Sequence, residues 1–325
     1  MPELPEVHTT TKMLNRLLPG LKISNVWTSY GGVIHQGKNH IKDKEYFAYF
    51  KKETVGQKVE SVSRRGKNVL INLANPKSPK ATERDGKTIL IHMKLTGHLL
   101  FGRYQRTNNQ QVTTNNQNIW GEEKWAPKEP KTSPLWNSFN RFIRLVFTFS
   151  NSKNLVLSDM RKFAKVSLLE NKEDSELSAL GPEPLEKASD LAVLKKRLDR
   201  RPSGRIKQVL MDQEIIAGIG NIYSDEILWL AGVHPESMVS KIPEEKIKEI
   251  YRAIKIVLEK GIKFQGDSIS DYRRPDGEKG AYQYHQKAYQ QTGKKCSMRD
   301  CPGTIEKLKI GGRSAHFCPR HQRKY

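Results

Sequence analysis

The sequence predicts an α+β fold with a β-rich N-terminal domain, a helical second domain and a small cysteine-containing segment at the C-terminus. Short β-branched and apolar runs separated by polar turns occupy residues 21–170. Apolar residues at helical spacing dominate residues 191–263, where capping and stop residues separate the segments. All three cysteines lie close to the C-terminus. Two domains plus an appendage suit a chain of 325 residues.

The first elements can be predicted from local patterns. An amphipathic helix is predicted over residues 3–18, because Pro5 suits a first helical turn and Gly20 follows as a stop signal. Four apolar runs in the β-rich region are typical of strands: Asn68–Leu73, Thr88–Met93, Phe142–Phe149 and Leu155–Leu157.

Two polar insertions, near 74–87 and 104–138, interrupt the β-rich region. Both are predicted to be loops. The second exceeds the usual loop length and is rich in Asn, Gln, Thr and Pro. It is either a flexible insertion or an ordered elaboration anchored by Trp120, Trp125 and Trp136.

Composition also places the domain boundaries. Residues 1–180 are predicted to form the N-terminal domain, and the proline-marked segment 181–190 is a linker. Residues 191–263 form the helical domain, residues 264–294 a loop region, and residues 295–325 the cysteine segment. The predicted helices are Leu191–Leu198, Arg205–Asp212, Asn221–Ala231 and Glu244–Lys260.

The charge of the chain points to a polyanionic partner. Lys and Arg total 57 against 35 Asp and Glu, a formal net charge of +22. A solvated surface rich in lysine is the alternative, but nucleic-acid binding explains so large a surplus better. No run of about 18 apolar residues exists to span a bilayer, so a membrane-spanning role is excluded. The N-terminus has no signal-peptide pattern, so a cytoplasmic protein is expected, associated with the nucleoid if the source is bacterial.

The cysteine segment has the spacing of a metal site. Cys296 and Cys301 form one pair of ligands, and Cys318 with His321 forms the second. Sulfur and imidazole ligands are the set that zinc favours, and four protein ligands indicate one structural ion. Three unrelated buried cysteines are the alternative. Alternation around Gly311-Gly312 predicts a hairpin between the pairs, a zinc ribbon that carries Arg313 at its tip.

A glycine-rich turn precedes one predicted helix. Gly218, Gly220 and Asn221 lie between two helical patterns, and Asn221 is predicted to cap the second helix. Free N–H groups at that helix N-terminus, with the Asn221 amide, would bind one phosphate. An ordinary interhelical turn is the alternative.

Several motifs together resemble one known family. They are MPELPEV, RRGKNVL, IHMKLTGHL, SDMRKF, LGPEPL, LMDQ followed by AGIGNIYSDE, and CPGTI followed by GGRSAHFCPRHQ. In this order, from residue 2 to about 322, the chain resembles the formamidopyrimidine-DNA glycosylases of the Fpg/Nei superfamily. The resemblance implies a β-sandwich flanked by helices, then a helix–two-turn–helix DNA-binding domain with a zinc finger.

The resemblance also implies catalytic residues. Once Met1 is removed, Pro2 carries a secondary amine that attacks the anomeric carbon of the sugar, and Glu3 is the acid or base beside it. Glu6 supports the site, or is simply a first-turn charge. Lys67 contacts the lesion phosphate and assists β-elimination, and Arg313 grips the same backbone and assists δ-elimination. On their own, these five side chains would suit a helix start or the protein surface.

Further positions are implied to contact DNA. Leu95 fills the space left by the extruded base. Arg161 and Phe163 are the pair that reads the orphaned opposite base and wedges the base stack. Asn221 contacts phosphate, and Lys207 belongs to the same DNA-binding set. Met160 stands where the family often has proline, which leaves that loop less rigid. Residues 264–290 resemble the loop that covers the damaged base.

The predicted protein is therefore a bifunctional DNA glycosylase with abasic-site lyase activity. It acts as a monomer on double-stranded DNA that contains oxidised purines or abasic sites, and zinc is its only cofactor. Three alternatives stay open at this point. They are a glycosylase of the endonuclease VIII type that prefers oxidised pyrimidines, a non-catalytic module that binds damaged DNA, and a basic zinc-ribbon protein of RNA complexes.

Overall fold

The computed structural model describes residues 1–30, 40–74, 86–107, 124–169 and 175–325. Helix α1 (Leu4–Leu17) begins the chain, and this confirms the helix predicted over residues 3–18. The backbone amide of Glu3, just before the helix, donates to the Glu6 carboxylate over 2.7 Å. This contact satisfies an N–H group at the helix start.

In the described part of the N-terminal half, ten strands follow α1, and helix α2 (Lys44–Thr54) lies between the first and the second. The strands are β1 (Ile23–Thr28), β2 (Val59–Arg65), β3 (Asn68–Leu73), β4 (Thr88–His92), β5 (His98–Gly102), β6 (Tyr104–Thr107), β7 (Lys124–Pro127), β8 (Ile143–Phe149), β9 (Asn154–Ser158) and β10 (Lys165–Leu169). All four predicted apolar runs are strands. Successive side chains of a strand point to opposite faces of the sheet, so a strand with one or both faces buried is rich in apolar residues.

Eight of these strands form two antiparallel sheets with the orders β1-β8-β9-β5 and β10-β4-β3-β2. Side chains of both sheets share one core, which includes Val69, Ile91, Leu145 and Leu157. Phe50 of α2 joins that core, with its ring centroid 6.2 Å from the ring of Phe147. The predicted β-sandwich is thereby confirmed.

The described ends of the insertion over 104–138, residues 104–107 and 124–138, are more ordered than the predicted loop. Strands β6 and β7 pair as a hairpin, and two 3₁₀ turns follow at Pro134–Trp136 and Ser138–Arg141. The Trp125 ring lies 5.9 Å from the Trp27 ring, and Trp136 Nε1 donates to the Glu129 carbonyl over 2.9 Å. Burial of these rings explains why the flanks hold a defined structure. Trp120 and most of the 74–87 insertion lie outside the described residues.

The second half of the chain is helical. Its elements are α3 (Ser175–Ser178), α4 (Leu191–Leu198), α5 (Ile206–Met211), α6 (Asn221–Ala231) and α7 (Glu244–Lys263), followed by a 3₁₀ turn at Tyr282–His285 and a hairpin of β11 (Glu306–Ile310) and β12 (Arg313–Phe317). The four predicted helices and the predicted hairpin are confirmed. Among the described residues, no helix is both long and apolar enough to cross a bilayer.

Helix α1 joins the two halves of the molecule. Val7 and Leu14 belong to the core of the sandwich, whereas Leu4 belongs to the core of the helical domain. The Leu4 amide donates to the Gly218 carbonyl over 3.0 Å. The first residues of the chain are therefore held at the junction of the two domains.

Candidate active site

The Glu3 side chain occupies the N-terminus of α6. Its carboxylate accepts hydrogen bonds from the amides of Gly220 (2.8 Å), Ile222 (2.9 Å) and Tyr223 (3.3 Å), and Glu3 is 1% exposed. Unpaired N–H groups and the helix dipole make this end of a helix attractive to an anion. A Cβ atom on Gly220 would overlap the Glu3 carboxylate, so only glycine allows this approach.

This arrangement corrects the predicted phosphate site. The amides expected to bind phosphate are already bound to Glu3, and Asn221 is the first residue of α6, with Gly220 at the cap position. Gly218, at φ +93°, packs directly against Leu4. The glycine turn therefore receives the N-terminus of the chain, which a local reading of the turn could not show.

Glu6 lies in a fully buried polar cluster beside Glu3. Its carboxylate accepts from the Tyr223 hydroxyl, the Asp267 amide and the Glu3 amide, each over 2.7 Å. Burial and then the charge of Glu3 raise the pKa of Glu6 to about 7. Burial likewise raises the pKa of Asp267 to about 6. Glu6 can therefore hold or release a proton near neutral pH.

Lys67 lies at the same junction and is 5% exposed. Burial lowers the pKa of its ammonium group, whereas the carboxylates of Glu3 and Glu6 oppose that effect. Arg313 and Lys94 are close enough to lower the pKa further. The structure thus brings together Glu3, Lys67 and Arg313, three of the predicted catalytic residues, and it buries Pro2 beside them.

Glu183 holds the turn that carries Lys67, and this role was missed in the sequence. Its carboxylate accepts from the Gly66 amide (2.5 Å), Arg64 Nη2 (2.6 Å) and Arg65 Nη1 (3.2 Å). Glu183 belongs to the LGPEPL segment, which composition assigned to the linker alone. The available signal was the place of Glu183 inside LGPEPL, one of the motifs that carry the family resemblance, whereas its burial is visible only in the structure.

Lys207 is placed differently from its prediction as a DNA contact. It is 1% exposed, and its ammonium group contacts the Asp225 carboxylate and the Ser314 carbonyl, the latter over 2.9 Å. Asp225 also accepts from the backbone amide of His316 (3.0 Å). Lys207 therefore ties α5 and α6 to the start of β12, where Arg313 is exposed. Because this ammonium is buried and bound to groups inside the protein, it does not reach a phosphate at the surface.

Leu95, Arg161 and Phe163 form a second group on the surface of the sandwich. Thr96, next to Leu95, donates to the Asp159 carboxylate over 2.5 Å and accepts from the Arg161 amide over 3.1 Å. The Arg161 guanidinium lies 4.8 Å from the Phe163 ring, and Phe163 is 44% exposed. Leu95 is half-buried. Exposure of the Phe163 ring is unusual for a core residue and typical of a contact surface.

Three of the four predicted metal ligands lie together. The sulfur atoms of Cys296, Cys301 and Cys318 are within 4.8 Å of one another, a cluster that could hold a metal ion. His321 stands apart from this cluster, because its Nε2 atom bonds to the Trp229 carbonyl over 2.7 Å. The predicted four-ligand set is therefore present as three thiols.

Comparisons with known proteins agree along the whole chain. The model of the formamidopyrimidine-DNA glycosylase N-terminal domain matches residues 1–166, and that of the formamidopyrimidine-DNA glycosylase H2TH domain matches residues 180–273. The formamidopyrimidine-DNA glycosylase of Pelotomaculum thermopropionicum is 33% identical, with 99% of each chain covered. That of Streptococcus mutans is 32% identical over the full length of both.

Solved structures show the same similarity. The Fpg of Lactococcus lactis, in complex with DNA containing an abasic site, has a TM-score of 0.75 and 28% identity, covering 99% of this chain and 100% of its own. MutM in complex with DNA containing carbocyclic 8-oxo-G has a TM-score of 0.74 and 29% identity, with the same coverage.

Proposed function

The chain belongs to the formamidopyrimidine-DNA glycosylase family, and from that premise we propose that it excises oxidised purines, such as 8-oxoguanine and formamidopyrimidines, from duplex DNA and then cleaves the strand. One observation carries the proposal for this chain. The start of the chain is buried at the domain junction, where Glu3, Glu6 and Lys67 surround it. A helix start with no further role would not need such a site.

Pro2 is the proposed nucleophile. Once Met1 has been removed, its secondary amine can bond to C1′ of the sugar while the bond from C1′ to the base breaks. The C1′–O4′ bond then breaks, O4′ takes up a proton, and C1′ and the Pro2 nitrogen form an iminium. This iminium is positively charged and draws electrons, which eases loss of a proton from C2′. The bond from C3′ to the phosphate oxygen then breaks. Base removal and strand cleavage therefore share one covalent intermediate.

Glu3 is the proposed general acid and base, and Glu6 supports it. The departing base or the opened sugar oxygen must gain a proton, and the C2′ proton must be accepted. Glu3 lies next to the nucleophile in sequence, and its backbone amide bonds to Glu6, whose pKa is about 7. A carboxyl with such a pKa exchanges protons efficiently near neutral pH.

We assign Lys67, Arg313 and Asn221 to the phosphates that flank the lesion. Lys67 and Arg313 are cations close enough to affect each other electrostatically, as two ligands of one phosphodiester segment would be. Asn221, the first residue of α6, would contribute its Nδ2 group, because phosphate oxygens accept hydrogen bonds and only that group of the side chain donates.

The exposed group of Leu95, Arg161 and Phe163 supports a purine substrate. A flipped nucleotide leaves a gap in the stack, which an apolar side chain can fill while Arg161 donates to the opposite cytosine. We propose that the duplex bends around this group. One chain supplies every residue named here, so a monomer suffices. We propose that it acts in the cytoplasm, at the nucleoid if the source is bacterial.

We further propose that the cysteine cluster holds one zinc ion. Three thiols within 4.8 Å of one another fit the soft ligands and close spacing of a tetrahedral zinc site. Bound zinc would stabilise the β11–β12 hairpin and so fix the position of Arg313. His321 stays the predicted fourth ligand, and thiolate-to-metal absorption of a cobalt-substituted His321→Ala variant would test it.

Borohydride trapping tests the enzyme reading. Duplexes with 8-oxoguanine opposite cytosine, with dihydrothymine and with an abasic site are incubated with the protein, and mass spectrometry locates the adduct. We expect an adduct at Pro2, strongest with 8-oxoguanine, whereas Pro2→Gly should lose base excision or carry it out far more slowly. Preference for dihydrothymine would move the protein to the pyrimidine-specific branch. If nothing is trapped on the abasic duplex by protein shown to lack Met1, the chemistry is refuted.

A further inference from the structure

We propose that the two 3₁₀ turns at residues 134–141, termed the bridge, hold residues 266–280, termed the covering segment, in a fixed position relative to Leu95, with Phe139 as the central positioning residue. The inference rests on the proposed function and on the resemblance of residues 264–290 to the loop that covers the damaged base. It concerns the ordered part of the insertion that follows β7, a part of the chain to which the proposed chemistry gives no role.

One end of the covering segment lies at the active site. The Asp267 amide donates to the Glu6 carboxylate over 2.7 Å, and the Tyr272 hydroxyl donates to the Glu6 carbonyl over 3.1 Å. Ser268 Oγ accepts from the Gly280 amide over 2.9 Å, which closes the segment on itself. The position of the segment therefore bears directly on the space beside the reacting sugar.

The middle of the covering segment rests on the bridge through Arg273. This arginine is 1% exposed, and its guanidinium lies 4.7 Å from the Phe139 ring. It donates to the carbonyls of Ser270 (2.8 Å) and Tyr272 (2.7 Å). Its Nε atom is buried without a hydrogen-bond partner in the described ranges. Beside these two carbonyls and the nearby charge of Asp271, the face of Phe139 is the group through which the bridge stabilises this buried cation.

Backbone contacts reinforce this attachment. The Phe101 amide donates to the Pro275 carbonyl over 2.7 Å, which links β5 to the covering segment. Gly277, at φ +87°, abuts the bridge so closely that a Cβ atom would lie 2.6 Å from the Pro134 carbonyl carbon and 2.7 Å from the Leu135 amide nitrogen. Such close packing leaves the segment little freedom at this point.

The other side of the bridge reaches the turn that carries Leu95. Asn140 is 3% exposed, and its Oδ1 atom bonds to His98 Nε2 over 2.9 Å. His98 Nδ1 lies 3.4 Å from the carbonyl oxygen of Thr96, the residue after Leu95. Asn140 Nδ2 donates to the Pro134 carbonyl over 3.0 Å, so the two turns of the bridge are tied together.

These contacts give the bridge a consequence for specificity. Leu95 is proposed to enter the gap in the duplex, and the covering segment is proposed to receive the base that left it. Leu95 and the covering segment must therefore contact the duplex at the same nucleotide position at the same time. A rigid connection between them favours that arrangement before DNA binds, which reduces the ordering required during base extrusion.

Phe139→Ala tests the proposal. Phe139 is 37% exposed, so its truncation should not prevent folding. Phe139→Tyr keeps the aromatic face, and Trp136→Phe changes the same bridge at a ring that contacts Glu129 and Lys131 instead. Three measurements are made on each full-length variant: amide hydrogen exchange over 268–280, single-turnover excision of 8-oxoguanine, and β-elimination at a preformed abasic site.

We expect Phe139→Ala to speed exchange in 268–280 about tenfold and to slow excision about tenfold, while β-elimination changes less than about twofold, since an abasic site has no base to enclose. Phe139→Tyr and Trp136→Phe should match the wild type. Unchanged exchange in Phe139→Ala overturns the bridge, and so does an equal loss of both activities. If the wild-type protein excises nothing, the proposed function fails, and exchange still decides whether the bridge exists.

Discussion

Replacing Glu183 with glutamine should loosen the turn that carries Lys67. The Glu183 carboxylate is 6% exposed and accepts from three consecutive residues, Arg64, Arg65 and Gly66. Glutamine has one oxygen and one NH₂ group in place of two acceptors. If its oxygen keeps the Gly66 amide, its NH₂ group faces the Arg64 guanidinium, and two donors then oppose each other.

The magnitude follows from the burial of the partners. Removing one member of a buried ion pair costs about 3–5 kcal/mol. Arg64 and Arg65 are 13% and 28% exposed, so water recovers part of that loss. We therefore expect Glu183→Gln to lower the free energy of unfolding by about 2–3 kcal/mol. Because Lys67 follows Gly66 directly, β-elimination at an abasic site should slow roughly tenfold.

Urea denaturation and a single-turnover lyase assay measure the two effects. Glu244→Gln is the matched control, because Glu244 pairs with Lys195 at the surface, where the two side chains are 57% and 35% exposed. That variant should be indistinguishable from the wild type in both assays. If Glu183→Gln behaves like Glu244→Gln, Glu183 does not hold the turn and the reasoning is refuted.

Other perturbations test other parts of the site. Arg313→Ala should weaken binding to all duplexes and reduce the slope of log K against log salt concentration by about 1; an unchanged slope would remove Arg313 from the phosphate contacts. Chelation, or Cys301→Ser, should release about one zinc per chain and expose residues 295–325 to protease, and a metal-free protein with the same protease resistance would contradict the zinc site. Glu6 should make stability depend on pH: its pKa is about 7 in the folded protein against an ordinary 4.5, so its contribution is fully present below pH 4.5 and is lost as pH rises to about 7. In Glu6→Gln, the free energy of unfolding should change less with pH between 4.5 and 7 than in the wild type. An identical pH dependence in the two proteins would show that Glu6 is ionised throughout that range.

Local patterns in the sequence predicted most elements of the fold. Strand β3 and helices α4 and α6 begin and end where the alternation and capping signals placed them. The described flanks of the insertion near 104–138 are more ordered than a loop, because Trp125 packs on Trp27, a residue far away in the chain. A run of polar residues indicates a loop only when no such distant partner exists.

The sequence by itself determined the types of residue at the site: an N-terminal Pro2-Glu3 pair, a lysine after a glycine turn, and a cluster of three cysteines. Only the tertiary structure decided their partners. It set the Glu3 carboxylate on the amides of α6, turned Lys207 inward to Asp225, and left His321 on the Trp229 carbonyl. The physical reason is that periodicity and capping signals depend on residues a few positions apart. A buried charge, in contrast, needs a compensating partner, and that partner can be far away in the sequence.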